Sequence, residues 1–198
     1  WRSAVGDIHP AYFEPEKLGW LRSFYGGLVN TCGLTYAGAP CEEQGKQLGL
    51  HGRADNTPAK NVLADGNWQG NDYTMWIQGK LREAIVFGEN IILRRKIYAK
   101  LGDPRIFIDD EVENMGYQTT EHMMLYHINI GYPIVDEGTN LISPTVETIP
   151  RDKEAEEGKE NYAKMTVPIK DFKEKVYYHL MKPNRRGDVV AMLVNRKF

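Results

Sequence analysis

"DYTMWIQGKLREAIVFGENIILRRKIYAKL", residues 72–101, decides the fold class because apolar and polar residues alternate along most of it. A period of two sends successive side chains to opposite faces of a β-strand. The stretch is interrupted by Gly79 and by "FGEN" at 87–90, which is typical of a turn between strands. Because so short a connection cannot hold a crossover helix, it predicts antiparallel pairing.

Further runs rich in β-branched and aromatic residues lie along the rest of the chain, bounded by Gly, Pro, Asn and Asp. They are "RIFIDDEVENMG" (105–116), "HMMLYHINIGYP" (122–133), "EKVYYHLM" (174–181) and "DVVAMLVN" (188–195). We therefore expect an all-β protein in which residues 1–198 form a single domain of antiparallel strands, a sandwich or a barrel. Two regions lack the alternation. Residues 10–50 are Gly-rich and irregular, as functional loops often are, and residues 151–164 are charged, as in a short helix or a surface loop.

The composition is that of a soluble globular protein, with 41% hydrophobic residues, 26% charged residues and a formal net charge of −2. A charge near zero predicts no general attraction to nucleic acid. No run reaches the roughly 18 apolar residues of a membrane span, so we expect no membrane association. The two cysteines, Cys32 and Cys41, do not make a disulfide framework, which favours a cytoplasmic location.

His127 and Asn129 are the first candidate site residues, because they interrupt the apolar run "MMLYHINIGYP". Residues two apart on a strand share a face, so both side chains point the same way. A buried polar group without a partner costs on the order of 1–3 kcal/mol, so the pair needs either a hydrogen-bonded core position or a ligand-facing wall. The residues alone leave both interpretations open.

The loop "GLHGRADNTP", residues 49–58, is the second candidate. Glycines flank His51, and Arg53 offers a planar fork of donors suited to hydroxyl pairs or carboxylates. A simple turn remains the alternative.

Two other kinds of site have less support. His122 and His127 are five residues apart, so in a regular strand they point to opposite faces and cannot bind one metal ion together. His51, His127 and His179 are a minor alternative set of metal ligands. We predict no metal. Asp109, Glu111 and Glu113 share a strand face, but carboxylates there usually meet solvent, which argues against glycoside hydrolysis.

Five blocks in this order resemble the DUF4432 group of aldose 1-epimerase-like proteins, in the galactose mutarotase-like superfamily. The blocks are "GGLVNTCGLTYAGAPC", "LGLHGRADNTPA", "FGENIILRRKI", "VENMGYQTTEHMMLYHINIGYP" and "VYYHLM" followed by "GDVVAMLVN". The resemblance covers the chain from about residue 8. It implies a large antiparallel β-sandwich with an open cleft for a small-molecule sugar on one sheet.

The resemblance also implies roles for individual residues. "LYHIN" resembles the region that carries the general acid, at His127, and "LHGR" resembles the motif whose histidine helps to hold the sugar, at His51. Arg53, Asn129 and His179 would contact sugar hydroxyls. The general base is usually a glutamate, which would follow the strand-like run at 188–195. Since the chain starts without Met and ends before that block, we expect it to be a piece of a longer protein, incomplete at both ends.

The resemblance therefore predicts acid–base interconversion of sugar anomers without a cofactor. Two alternatives stay open: a non-catalytic sugar-binding protein, and an isomerase or lyase that acts on an oxidised, acidic sugar gripped by Arg53. A homodimer also stays open as the assembly state.

Overall fold

The computed structural model describes residues 1–197 and is built mainly of antiparallel strands. The chain divides into two compact units, one of residues 2–129 and one of Trp1 with the residues from 130 onward. The prediction that residues 1–198 form a single domain stays a prediction. The predicted all-β, antiparallel class is confirmed, since every paired strand in the described part of the chain is antiparallel.

The unit of residues 2–129 contains eight strands and three short 3₁₀ helices. The strands are β1 (Val29–Leu34), β2 (Cys41–Glu43), β3 (Lys46–Leu48), β4 (Lys60–Gln69), β5 (Asp72–Ala84), β6 (Asn90–Lys100), β7 (Ile106–Asn114) and β8 (Met123–Ile128). The 3₁₀ helices are Pro10–Tyr12, Gly19–Arg22 and Ala54–Asn56.

A four-stranded meander, β4-β5-β6-β7, forms the larger sheet of this unit. Its centre is the hairpin of β5 and β6, in which the whole of β6 pairs with residues 74–84 of β5 and Leu81 lies opposite Leu93. The expected turn at "FGEN" lies between these strands, but the expected interruption at Gly79 is wrong, because Gly79 lies inside β5 opposite Arg95. Side chains therefore alternate between two faces, and the face that carries Leu81 and Leu93 is the buried one.

A second layer, β1 paired with β8, packs against that face. The core between the layers consists of Leu34, Ala54, Leu81, Ile91 and Leu93, with partly buried Val112 and Met124 packed around it. Burying one such aliphatic side chain stabilises the fold by roughly 1.5–3 kcal/mol. This two-layer arrangement fixes the position of β8, which carries His127.

Charged side chains on the inner face of the meander also reach the second layer. Glu83 of β5 accepts hydrogen bonds from the backbone N–H of Leu34 at 2.8 Å and from the hydroxyl of Thr35 at 2.6 Å. Arg95 of β6 pairs with Asp110 of β7 through two contacts of 2.7 Å, and the Tyr126 hydroxyl donates to Asp110 at 2.6 Å. These contacts satisfy buried polar groups that would otherwise oppose the packing of the layers.

The second unit contains the remaining elements, and within it β10 pairs with β11 and β9 with β12. The elements are β9 (Asn140–Ile142), β10 (Thr145–Pro150), α1 (Lys153–Gly158), β11 (Tyr177–Met181) and β12 (Met192–Val194). The carboxylate of Asp152 caps α1 by accepting from the N–H of Ala155 at 2.9 Å. Among residues 1–197, no helix has the length and apolar character needed to cross a membrane.

Some strands were not predicted. β1 lies inside the stretch 10–50, which we expected to be irregular, and β4 reads "KNVLADGNWQ". Gly, Asn and Asp are depleted in strands, so local propensity hides both elements. Each strand forms because a neighbouring strand pairs with it through backbone hydrogen bonds: β8 pairs with β1, and β5 pairs with β4.

Candidate functional site

Four rings gather at one place in the unit of residues 2–129. The imidazoles of His51 and His127 lie edge to face with centroids 5.4 Å apart. The Trp20 ring is 4.8 Å from His51 and 6.0 Å from His127, and Phe24 stacks on Trp20 at 4.4 Å while meeting His127 at 5.4 Å. Two imidazoles, which can each donate or accept a proton, are thereby held against an aromatic surface.

His51 is presented by a tight loop that depends on the glycine after it. His51 has φ +60° and Gly52 has φ +77°, both in the left-handed region. A Cβ on residue 52 would lie 2.4 Å from the carbonyl oxygens of Gly33 and Tyr36, so only glycine fits there. The N–H of Gly33 donates to the carbonyl of His51 at 3.0 Å, which fastens this loop to β1.

His127 starts a chain of polar side chains that runs into the protein. Its Nδ1 is 2.6 Å from Oδ1 of Asn129. Nδ2 of Asn129 donates to Oδ1 of Asn30 at 2.7 Å, and Nδ2 of Asn30 donates to Oδ1 of Asp55 at 2.8 Å. Asn30 and Asn129 are both buried, whereas His127 is half-buried. His127 and Asn129 are thus hydrogen-bonded to each other, and the prediction that they face a ligand stays a prediction.

Asp55 is the inner end of this chain and is electrostatically unusual. Burial raises its pKa, while the hydrogen bond from Asn30 and the charge of His127 oppose the rise. Its Oδ2 is buried and has no hydrogen-bond partner among the described residues. Burial, with a smaller effect of Asp55, also raises the pKa of Cys32 to about 12, so this thiol stays protonated and is no nucleophile at neutral pH.

Arg53 lies two residues after His51, and its side chain contacts Glu83 and Tyr36. Its guanidinium is 3.4 Å from the carboxylate of Glu83 and lies over the Tyr36 ring at 5.3 Å from the centroid. The Glu83 side chain is only 6% exposed, so Arg53 partly balances a buried charge. A role for Arg53 in sugar binding stays a prediction.

His179 lies in the other unit, on β11. Its Nδ1 is 3.3 Å from the hydroxyl of Thr148, and its ring is 5.0 Å from that of Tyr162. These contacts give the imidazole a local aromatic and hydroxyl environment. The sugar contact implied for His179 also stays a prediction.

The carboxylates of β7 and the histidines give no metal cluster. Among residues 1–197, no group of three His, Cys, Asp or Glu side chains is placed to hold an ion. His122 contacts the carbonyl of Leu34 at 3.1 Å. Arg94 pairs with Glu113 at 2.7 Å and with Glu111 at 3.4 Å, so two of the three carboxylates considered for hydrolysis share one guanidinium. The prediction that the protein binds no metal is not tested by these contacts.

Two clefts of this unit lie along the meander. One of about 430 Å³ is bordered by Arg94, Lys96 and Asp109, and one of about 270 Å³ is bordered by Thr31, Asp55 and Arg95. Neither cleft is lined by His51 or His127. The ring cluster is therefore defined by the contacts among its side chains and lies apart from both of these clefts.

Sequence reasoning missed four residues of this arrangement: Trp20, Phe24, Asn30 and Asp55. Asp55 is part of the quoted loop "GLHGRADNTP", so its proximity to His51 was a usable signal. Asn30 became recognisable only through the register of β1 and β8, in which it lies opposite His127. Trp20 and Phe24 belong to the irregular N-terminal stretch, which has no periodicity to place them.

Comparison with known proteins adds a family and a fold. The family described as "Domain of unknown function (DUF4432)" matches residues 1–198. A crystal structure described as that of a "putative aldose 1-epimerase" from Klebsiella pneumoniae subsp. pneumoniae superposes with a TM-score of 0.94 at 26% identity. The match covers 100% of this chain and 52% of that one, so the chain spans about half the length of the protein it matches. No curated protein matches the chain.

The fold is thus that of an aldose 1-epimerase-like protein, as the resemblance in the sequence implied. Because the family match extends over the whole sequence, the chain belongs to the DUF4432 family.

Proposed function

We propose that the protein interconverts the anomers of an aldose by acid–base catalysis, with His127 and His51 as its catalytic histidines. The observation that carries this proposal is the pair of imidazoles 5.4 Å apart, in a chain whose structural neighbour is described as a "putative aldose 1-epimerase". His127 is the proton donor and His51 holds the sugar in position.

The reaction suits these residue types. His127 delivers a proton to the ring oxygen while a base removes the proton of the anomeric hydroxyl. The C1–O5 bond breaks, the open chain ends in an aldehyde, and rotation about C1–C2 followed by closure returns both protons. An imidazole with an ordinary pKa of about 6.5 can donate and accept near neutral pH, and each positioned group of this kind contributes roughly 10²–10⁴-fold. In this proposal the base is a glutamate that would follow the run at 188–195, as the resemblance implies.

In this proposal the aromatic neighbours orient the imidazole rings and do not bind the sugar. Trp20 is 2% exposed, so it packs beneath the imidazoles and has no free face on which a sugar could stack. Its edge-to-face contact with His51 restricts that ring. Restricted rings keep the two histidines in the geometry that proton transfer needs.

Neutral aldoses are better supported as substrates than acidic sugars. An acidic sugar would need a cation to grip its carboxylate, and the predicted one, Arg53, lies beside Glu83 and is partly neutralised by it. The alternative to catalysis is a non-catalytic sugar-binding protein that uses the same side-chain contacts.

The test is anomer exchange, followed by saturation-transfer NMR on the anomeric protons of a panel of aldoses and uronic acids. The full-length protein is compared with His127→Ala and with His122→Ala as the matched control, since His122 lies just before the same strand and contacts only a backbone carbonyl in the described contacts. We expect exchange to slow by about 10²–10⁴-fold in His127→Ala and to stay unchanged in the control. Equal exchange in all three proteins contradicts His127 as the acid, and sugar binding without exchange supports the binding protein.

A further inference from the structure

Three hydrogen bonds connect Asp55 to His127 through Asn30 and Asn129, and their donors and acceptors fit together in only one direction. An ionised carboxylate accepts and never donates, so the neighbour of Asp55 must present its amide NH₂, which is the observed Nδ2 of Asn30. The oxygen of Asn30 then faces Asn129 and requires the NH₂ of that residue. The oxygen of Asn129 is left facing His127.

The last contact decides which nitrogen of His127 carries the proton. Oδ1 of Asn129 is an acceptor, and it lies 2.6 Å from Nδ1. A lone pair on Nδ1 at that distance would be repelled, so Nδ1 must bear hydrogen. Rotating only one of the two amides, Asn30 or Asn129, by 180° does not give a second solution, since two oxygens or two NH₂ groups would then face each other. Reversing both amides would bring the oxygen of Asn30 against the Asp55 carboxylate.

We propose that Asp55 is a positioning residue that acts through Asn30 and Asn129 to hold His127 in the Nδ1–H tautomer, with Nε2 left to exchange the proton with substrate. The proposal rests on the proposed function for the meaning of that proton, but the tautomer itself is a property of the protein without sugar.

This arrangement serves both halves of a reversible transfer. When His127 is an imidazolium, Nδ1–H donates to Asn129 and Nε2–H faces the reaction. After Nε2 gives its proton to the ring oxygen, the neutral ring is already in the tautomer that the chain favours. The same Nε2 lone pair then takes the proton back when the ring closes. No rotation of the imidazole is needed between the two steps, which keeps the reacting geometry fixed.

The experiment records two-bond ¹H–¹⁵N correlations of the imidazoles in full-length protein labelled with ¹⁵N-histidine, at a pH where His127 is neutral. The His127→Ala variant identifies the signals. Asp55→Asn removes the carboxylate that can only accept, so the amide groups of Asn30 and Asn129 become free to rotate by 180°. Asp109→Asn is a matched control at an exposed position of β7. We expect the wild type and the control to show the Nδ1–H tautomer, and Asp55→Asn to show a mixture or the Nε2–H form.

Activity gives a second readout. We expect Asp55→Asn to lower kcat for anomer exchange by about 10–100-fold and to change KM by less than about twofold, since the carboxylate orients the acid and does not touch the sugar. A wild-type His127 that carries its proton on Nε2 overturns the proposal without any variant. An unchanged tautomer in Asp55→Asn overturns it as well. Absence of exchange in a wild type that shows the expected tautomers contradicts the proposed function and leaves the role of Asp55 supported.

Discussion

His51 and His127 come from distant parts of the chain, yet their imidazole rings lie edge to face with centroids 5.4 Å apart. One ring is carried by a loop in the left-handed conformation and the other by the edge of a two-stranded sheet. Because the rings are in contact, we expect the two histidines to act as one unit in the proposed reaction.

A double-mutant cycle tests this unit. We expect His51→Gln and His127→Gln each to slow anomer exchange, and the double variant to be no slower than the slower of the two single variants, because groups that act together are not additive. The rates come from saturation-transfer NMR on the full-length protein. His9→Gln is the control, since His9 is exposed and caps a 3₁₀ helix. Additive losses in the free energy of activation would show that the histidines work independently.

Gly52→Ala should be strongly destabilising. The added Cβ would lie 2.4 Å from two carbonyl oxygens, so we expect the free energy of unfolding in urea to fall by about 3 kcal/mol or more. Gly70→Ala is the matched control, because Gly70 also has positive φ but a Cβ added there would meet no atom within 4 Å. That control should lose only about 1 kcal/mol. Similar losses in both variants would mean that conformation, and not the close approach, fixes glycine at residue 52.

These residues also show what the sequence could predict. The β5–β6 hairpin was predicted because both strands alternate over many residues, and that signal needs no knowledge of the partner. The shared orientation of His127 and Asn129 followed from the same period. The hydrogen bond from Asn129 to Asn30 could not be predicted, since Asn30 lies 99 residues away and reaches Asn129 only through the pairing of β1 with β8. A residue's hydrogen-bond partner across a sheet depends on register, which local pattern does not contain.

Asp110→Asn should weaken the protein at neutral pH. Burial opposes ionisation of Asp110, but hydrogen bonds from Arg95 and Tyr126 outweigh it and lower the pKa. A lowered pKa in the folded state stabilises it above the unfolded value of about 4, and this contribution is lost as pH falls through the folded pKa. We expect Asp110→Asn to lose about 3 kcal/mol at pH 7, because Arg95 is left without its partner, and to lose less near pH 2.

Urea unfolding between pH 2 and pH 7 measures this effect. Asp109→Asn is the control on the neighbouring residue of β7, whose side chain points to the other face and is exposed. It should follow the wild type within about 0.5 kcal/mol. A loss in Asp110→Asn that is the same at both ends of the pH range would contradict the ion pair as its source.

Asp55→Asn should have the opposite pH dependence. Burial raises the pKa of Asp55, so the folded state favours the protonated carboxyl; this contribution is present below about pH 4 and is lost as pH rises through the folded pKa. The groups that act on Asp55 are Asn30 and His127, and Asp55 in turn raises the pKa of Tyr25 and Cys32. We therefore expect the wild type to lose more stability than Asp55→Asn between pH 4 and pH 7.

The same urea series measures this difference, again with Asp109→Asn beside the wild type. A gap between wild type and Asp55→Asn that does not change with pH would show that ionisation of Asp55 is not opposed by folding. If both expectations for Asp55 hold, the residue lowers stability at neutral pH while it supports turnover, which is a common trade at reactive centres.

The pairing of β1 with β8 has a consequence for the order in which this unit assembles. The strands of the meander follow one another along the chain and can zip together through short hairpins, whereas β1 must close a loop that contains all four of them before it meets β8. Loop closure over such a distance delays contacts in folding. As the polypeptide leaves the ribosome, His51 emerges well before its partner ring. The meander can thus be complete before the contact between the two histidines has formed.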